Sequence, residues 1–386
     1  MKHRYLMLCL TITIVSVTLV CSNSVGIEAS YDATRDSARL SQFRNMTGTA
    51  IIGAGPAGLA ASIATMRGDI PTAVFMGPQW GGQLMQSNLV ENVPGFNRNT
   101  GKKIMQALRK QAADFGVQLV PEQVVSVDFG TWPFVLQLAN GDIIRALTVV
   151  IATGSKPKML GVKGEDKFYG NGVSTCAICD AGFFEGLDVG VVGGGDSAVI
   201  QALLLSSHAR TVTMWVRSNK MRAAPTVRRL LDSVSNVTIA MNKKVVEICG
   251  DTDGMTHVII EDSQTGERRP VNISGLFLAI GHLPSTELFK PFLPVTEEGY
   301  LVTKGRSQLT TIPGVFACGE CVQQDPMYRQ VIVAEGDGTK AGIDAVMYLQ
   351  NAGIMPYMKR LSLYKYAGFN TAQTSSEKSQ NNTKAY

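Results

Sequence analysis

Cys176-Ala-Ile-Cys179, followed directly by Asp180, is the run best equipped for chemistry in this chain. Two thiols at that spacing can close a disulfide across a single turn. At a helix N-terminus their pKa falls, which makes thiolate available for exchange. Reducing a disulfide consumes protons, and an adjacent carboxyl whose pKa is raised by burial can supply them. Asp180 is therefore a candidate acid, with a helix-capping aspartate as the competing reading. The same cysteine spacing also suits half of a zinc site, and a closed structural site needs four ligands. The other candidate pair, Cys318-Gly-Glu-Cys321, follows an apolar run that reads as a strand entering a turn, with no histidine nearby. Its cysteines are expected to be small buried residues, and no metal is expected. Cys249 stands alone and is expected to be buried as well.

The elements that must position such a pair are legible around two glycine-rich turns. Ala50-Ile51-Ile52 is a short apolar strand running into Gly53-Ala-Gly55-Pro56-Ala57-Gly58; a helix over 59–67 and a strand over 72–76 follow. The same grammar recurs with a strand over 189–192, the turn Gly193-Gly-Gly195-Asp196-Ser197-Ala198, a helix through Leu205 and a strand over 211–216. In such a unit the first glycine permits the sharp turn, the second lets a pyrophosphate approach the backbone, and the third lets helix and strand pack closely. The helix N-terminus then offers unpaired N–H groups to the phosphates. One such motif is weak evidence, but two in correct context imply two nucleotide-binding domains and an α/β fold. The stretches 146–154 and 276–281 read as further strands, each ending in a tight turn.

These units also choose between the readings of the cysteine pair. They supply an electron source and a relay, which redox exchange needs and zinc does not. The strand of the second unit ends Trp215-Val-Arg217-Ser218-Asn-Lys220-Met-Arg222, with three cations and no acid. An acid there would favour a free ribose 2′-hydroxyl, whereas arginine accommodates a 2′-phosphate, so NADPH is expected. The matching strand of the first unit ends Val74-Phe75-Met76-Gly77, and its ribose must be held differently.

A length of 386 residues accommodates two compact domains. The net charge of +5 carries no dense basic run, so no nucleic-acid partner is expected. Lys2, His3 and Arg4 precede an apolar run from Tyr5 to Cys21, the pattern of a secretory signal over residues 1–22. An uncleaved anchor is the alternative, since the run is near the lower length limit for a span, and only then would the chain contact a membrane. Entry into the secretory pathway is expected, toward its lumen, the outside or an organelle reached by that route. Residues 23–48 read as a linker or transit segment, and 356–386 as a disordered tail rich in small polar residues.

Taken together, the ordered motifs resemble the low-molecular-weight thioredoxin reductases of bacteria and plants, class II pyridine nucleotide-disulfide oxidoreductases. The resemblance runs from about residue 49 to about residue 352. Besides the first glycine turn it is carried by Gly81-Gly82-Gln83-Leu84, Val90-Glu-Asn92-Val-Pro-Gly95, Ala152-Thr153-Gly154, the Cys176–Asp180 run, Gly193-Gly-Gly195, Ala279-Ile-Gly-His-Leu-Pro284, Ile312-Pro-Gly-Val-Phe-Ala-Cys-Gly319-Glu320 and Tyr328-Arg329-Gln330.

The resemblance implies an outer, split FAD domain over 49–160 and 282–355. Its cofactor contacts would be Gly53, Gly55, Pro56, Ala57, Gly58, Gly82, Gln83, Asn92, Thr153, Gly154, Gly319, Glu320, Arg329, Gln330 and Val331. An inserted NADPH domain over 161–281, of three-layer ββα type like the first, would use Gly193, Gly195, Asp196, Ser197, Ala198, Arg217 and Arg222. It further implies a homodimer and an inserted domain that rotates, presenting nicotinamide and cysteine pair to the flavin in turn. Hydride would pass from NADPH to FAD, then to the Cys176–Cys179 disulfide, then to thioredoxin or a thioredoxin-like protein. Cys179 would face the flavin, Cys176 would attack the partner and Asp180 would be the acid and base. A flavin-dependent dithiol oxidase of the same fold is the alternative, and Arg217 and Arg222 count against it. The chain departs from the family pattern at Glu320 (usually Asp), Ser218 (usually Arg), Ala181 (usually Gly), Ile200 and Gln201 (often acidic) and Val331 (usually Ala).

Overall fold

The computed structural model describes residues 45–87 and 89–360. The signal segment, residues 23–44 of the linker and the tail from residue 361 lie outside the described residues. Among the described residues no helix is long and apolar enough to cross a membrane.

The first unit opens with β1 (Met46–Ile52), α1 (Pro56–Arg67) and β2 (Thr72–Phe75). Proline at the start of α1 costs no hydrogen bond and presets the helical φ. Next comes α2 (Gly101–Asp114), whose first turn is capped by the Thr100 hydroxyl accepting the Lys103 N–H. Then follow β3 (Gln118–Val120), β4 (Val124–Asp128), β5 (Phe134–Leu138) and β6 (Ile143–Ile151). The sheet order is β3-β2-β1-β6-β5-β4, parallel from β3 to β6 and antiparallel beyond.

Strand β1 begins before the expected start at Ala50: Met46 and Thr47 pair with Arg145 and Ala146. The polar letters of this segment conceal a buried strand because its hydroxyls are satisfied internally. Thr49 and Thr148 share a hydrogen bond of 2.9 Å, and Thr47 donates to the Pro71 carbonyl at 3.0 Å.

The chain leaves this unit through β7 (Ser155–Pro157) and α3 (Glu165–Phe168). The inserted unit contains β8 (Val173–Ser174), α4 (Ala177–Asp180), β9 (Asp188–Val192), α5 (Asp196–Ser206), β10 (Thr211–Val216) and β11 (Val237–Met241), then the antiparallel β12 (Lys243–Gly250), β13 (Met255–Asp262) and β14 (Arg268–Asn272), and finally β15 (Gly275–Leu278). Its parallel sheet runs β11-β10-β9-β15-β8. One face packs α5 through Ala198, Val199, Ala202 and Leu205. The other packs the antiparallel sheet through Trp215, Val245, Val258 and Leu276. Cys249, expected to be buried, lies in β12 with its side chain partly exposed. A cysteine's apolar character does not reveal which face of an antiparallel strand it occupies.

The return runs through β16 (His282–Pro284), antiparallel to β7, so the two crossings between units form one ribbon. Strand β17 (Val315–Ala317) completes the seven-stranded first sheet beside β6, and α6 (Val331–Asn351) packs on α1. Close approach of those helices needs glycine: a Cβ on Gly338 would lie 2.0 Å from the Ala57 carbonyl oxygen. The expected tail boundary at 356 falls inside a 3-10 turn, Met355–Arg360, in which Met358 is buried.

Candidate redox site

Cys176 and Cys179 form a disulfide with their Cα atoms 5.3 Å apart. Cys176 occupies the N-cap of α4, and its carbonyl accepts the Cys179 and Asp180 N–H groups. Asp180 ends that helix and stands at the N-cap of the 3-10 turn Ala181–Phe184, but its side chain makes no capping hydrogen bond there, which corrects the capping reading. Its carboxylate Oδ2 accepts from the Ser174 hydroxyl at 2.6 Å, and Ser174 Oγ in turn accepts the Cys176 N–H at 3.0 Å. Burial pushes the Asp180 carboxyl above the ordinary carboxylate range, and the Ser174 bond partly opposes it. Ser174 was not among the residues singled out from sequence; a serine two positions before a Cys-X-X-Cys run carries no pattern of its own.

The disulfide opens into a cavity of about 1870 Å³ whose wall also includes the first glycine turn. Gly53, Gly55, Pro56, Ala57, Gly82, Gln83, Asn92, Thr153, Gly154, Glu320, Arg329, Gln330 and Val331 share this cavity with Cys176, Cys179 and Asp180. Gly58 and Gly319 stand behind the wall. A Cβ on Gly58 would meet the Gly53 carbonyl at 2.0 Å, and one on Gly319 would meet the Ala57 Cβ at 2.9 Å.

The wall suits a dinucleotide. Gly53, at φ +110°, lets the ends of β1 and β6 meet, and a Cβ there would lie 2.3 Å from the Ala152 carbonyl. A Cβ on Gly55 would touch nothing within 4 Å, so the backbone is bare where a pyrophosphate would approach. Gln83 Nε2 and the Ser155 hydroxyl both donate to Glu320 Oε2 at 2.8 Å, anchoring the longer carboxylate. Asn92 donates to Gln330 Oε1 at 2.9 Å, and the Thr153 hydroxyl to the Ser285 carbonyl at 2.6 Å. Arg329 lies over the Tyr300 ring and donates from Nη1 to His282 Nδ1 at 2.8 Å, while its buried Nε has no partner among the described residues. Burial, Arg329 and Lys158 depress His282 to about 4, so at neutral pH its ring is uncharged and Nδ1 accepts. His282 and Ser155 also escaped the sequence reading, because their partners lie far along the chain.

Around the second glycine turn the geometry repeats. Gly193 has φ +146° and a Cβ would lie 2.4 Å from the Ala279 carbonyl, whereas Gly195 faces open space. Ala198 is fully buried. Asp196 accepts the Ala224 N–H at 2.7 Å, and the Arg222 and Ala223 N–H groups donate to the Gly194 carbonyl. The basic loop is thereby folded back against the turn, with Arg217 and Arg222 exposed. Of this set only Ser197 lines the cavity shared with the cysteine pair; Gly193, Gly195, Asp196, Ala198, Arg217 and Arg222 lie outside it.

Cys318 and Cys321 are fully buried, and burial pushes both thiols up, which keeps them protonated. The Cys321 thiol donates to the Cys318 carbonyl at 3.2 Å.

The pyridine nucleotide-disulphide oxidoreductase family model matches residues 47–338. The thioredoxin reductase of Streptomyces clavuligerus is 41% identical over 312 residues, covering 80% of this chain and 95% of that protein. That of Rickettsia prowazekii is 38% identical over 302 residues, covering 78% and 97%. The solved structure of thioredoxin reductase from Giardia duodenalis matches with a TM-score of 0.76 at 36% identity, covering 80% of this chain and all of that one.

Proposed function

Because the chain belongs to the pyridine nucleotide-disulphide oxidoreductase family, among its low-molecular-weight thioredoxin reductases, we infer that it catalyses NADPH-dependent, FAD-mediated reduction of a thioredoxin disulfide. The observation that carries this reading is the single cavity shared by the Cys176–Cys179 disulfide and the first glycine turn.

FAD bound in that cradle supplies a two-electron relay between a pyridine nucleotide and the disulfide. Gly55 and Gly82 leave room for its pyrophosphate, and Gln83, Asn92, Glu320 and Arg329 are the polar groups available to orient it. Cys179, the more exposed of the pair, is the thiol on the flavin side. Cys176 is the nucleophile: its thiolate bonds to one partner sulfur, and the other leaves and takes a proton. Cys179 then attacks the Cys176 sulfur, which releases the second partner thiol and restores the Cys176–Cys179 disulfide. Asp180 takes the proton from Cys176 as it attacks. The split FAD domain (49–160, 282–355) and the inserted NADPH domain (161–281) belong to the same reading. Since Gly193, Gly195, Asp196 and the basic loop lie outside the cavity, hydride delivery calls for the inserted domain to turn about the β7–β16 ribbon.

The partner is thioredoxin or a protein like it. Pairing of two chains has support in the exposed Ile332, Ile343 and Met347 along α6. Delivery into the secretory route rests on the N-terminal pattern alone. Turnover tests the reading: purified protein should carry flavin and oxidise NADPH catalytically, beyond the one or two equivalents its own flavin and disulfide accept, only when an oxidised thioredoxin is supplied. Failure of NADPH and NADH alike to support thioredoxin reduction contradicts it, and oxygen uptake driven by dithiols would favour the oxidase instead.

Nucleotide choice gives a separate prediction. Replacing Arg217 and Arg222 together with alanine should raise KM for NADPH by roughly tenfold or more, as loss of charge-assisted contacts to a phosphate implies. KM for NADH and kcat should change little. Steady-state kinetics with both nucleotides checks this; equal weakening of both would place the arginines elsewhere than at the 2′-phosphate.

A further inference from the structure

Within the disulfide-reductase reading, on which this inference rests, we propose that Ser174 is a positioning residue for Asp180, holding its carboxylate ready to accept the proton of Cys176. The hydroxyl has one proton to give. It donates to Asp180 Oδ2 at 2.6 Å and accepts the backbone N–H of Cys176 at 3.0 Å. The acid is thus tied, through one side chain, to the backbone of the nucleophile it serves. This polarity requires an acceptor at Oδ2, which the ionised carboxylate provides. Ser174 is itself buried at the end of β8, where it pairs in register with Phe277, so its hydroxyl is held by the sheet and not by the short helix that carries the cysteines.

The surroundings leave Ser174 without a substitute. Helix α4 packs on α5, whose only ionisable side chain, Asp196, is engaged with the Ala224 N–H. The turn Ala181–Phe184 carries no ionisable group, and Glu185 beyond it pairs with His208. Tyr169 lies near but shares its hydroxyl with Thr175 at 3.3 Å. Ile200 and Gln201 of α5 line the cavity where acidic residues often stand in the family, so that wall adds no carboxylate. Burial works against the charged form of Asp180, and Ser174 is the side chain that works for it.

The sign of the effect follows. Removing the hydroxyl leaves the carboxylate buried without its donor, so Asp180 protonates at higher pH than before and the base form is lost sooner on acidification. In the flavin-loaded full chain, Ser174→Ala should lower thioredoxin reduction roughly tenfold on the acid side of the pH profile, the equivalent of one hydrogen bond to a charged group. At alkaline pH it should converge on wild type. Ser174→Thr, which keeps the hydroxyl, should restore the profile. In an Asp180→Asn background, Ser174→Ala should have no further pH-dependent effect. Anaerobic reduction of flavin by NADPH, followed by rapid mixing, should be unaffected by Ser174→Ala. Should that variant not retain flavin, Ser174→Gly removes the same hydroxyl. A loss of turnover equal at all pH values, or no loss at all, would overturn the proposal alone. Wild-type protein that takes no hydride from NADPH would overturn the disulfide-reductase reading and the proposal with it.

Discussion

Replacing Cys176 with serine should abolish reduction of a protein disulfide, by roughly a thousandfold or more, while NADPH continues to bleach the flavin. A serine hydroxyl is not ionised at neutral pH and does not exchange with disulfides, so the partner cannot be attacked. The flavin cradle is built from β1, β6 and the return segment, none of which the substitution disturbs. The Cys179→Ser variant should behave differently. Cys176 would still attack, but without a resolving thiol the reaction would stop at a mixed disulfide. Rapid mixing under anaerobic conditions separates the two half-reactions, and mass spectrometry of the Cys179→Ser protein with its partner reads the trapped adduct. Normal turnover by the Cys176→Ser protein would remove that residue from the nucleophile's role. An adduct on Cys176→Ser and none on Cys179→Ser would exchange the assignments.

The second large effect concerns the glycine turn, where substitutions at two neighbouring glycines should both weaken flavin binding but differ sharply in stability. Gly53 adopts φ +110°, and a Cβ there would stand 2.3 Å from the carbonyl oxygen of Ala152. Gly53→Ala therefore brings both backbone strain and overpacking, each costing about 1–3 kcal/mol. The ends of β1 and β6 would have to part, so thermal stability should fall and the protein should purify largely without flavin. Gly55 has φ −76°, which any residue adopts, and an added Cβ would meet nothing within 4 Å. Gly55→Ala should fold with near wild-type stability, yet hold flavin weakly, because the methyl group fills space the pyrophosphate needs. Thermal melts beside flavin content give the comparison. Equal stability loss in both variants would mean that the second glycine serves packing and leaves the cofactor's approach untouched.

Both variants turn on how much of the architecture can be read from local pattern. The glycine turns were legible because their constraint is local: a strand must bend sharply into a helix, and only glycine permits it. Strand β10 was expected over 211–216 and is found at Thr211–Val216, since its alternation of apolar residues and its flanking turns lie within one short segment. Strand β1 was read too short because Thr47 and Thr49 look polar, and their burial depends on Thr148 and Pro71, which are distant in sequence. The cysteine pair was legible as chemistry, but the placement of its acid was not. Asp180 reads equally well as a cap from its position alone; its carboxylate, at the last residue of α4, instead accepts from Ser174 at the end of β8. His282, on the crossing ribbon, acquires its neutral ring from burial and from Arg329 and Lys158, contacts that no nearby letter announces. Cys249 was misjudged for the related reason that burial in a strand is a property of the face it occupies. The exclusion of most of the second nucleotide unit from the shared cavity is likewise a property of how the two units are arranged, which sequence spacing does not encode.

The most direct measurement of the central claim is thiol release on anaerobic addition of NADPH to the flavin-loaded protein, followed alongside flavin absorbance. Electron flow from nucleotide through the cradle to the disulfide predicts that NADPH bleaches the flavin and frees the thiols of Cys176 and Cys179 for alkylation, both identified by peptide mapping. Flavin that bleaches while Cys176 and Cys179 stay joined, or flavin that NADPH leaves oxidised, would contradict it.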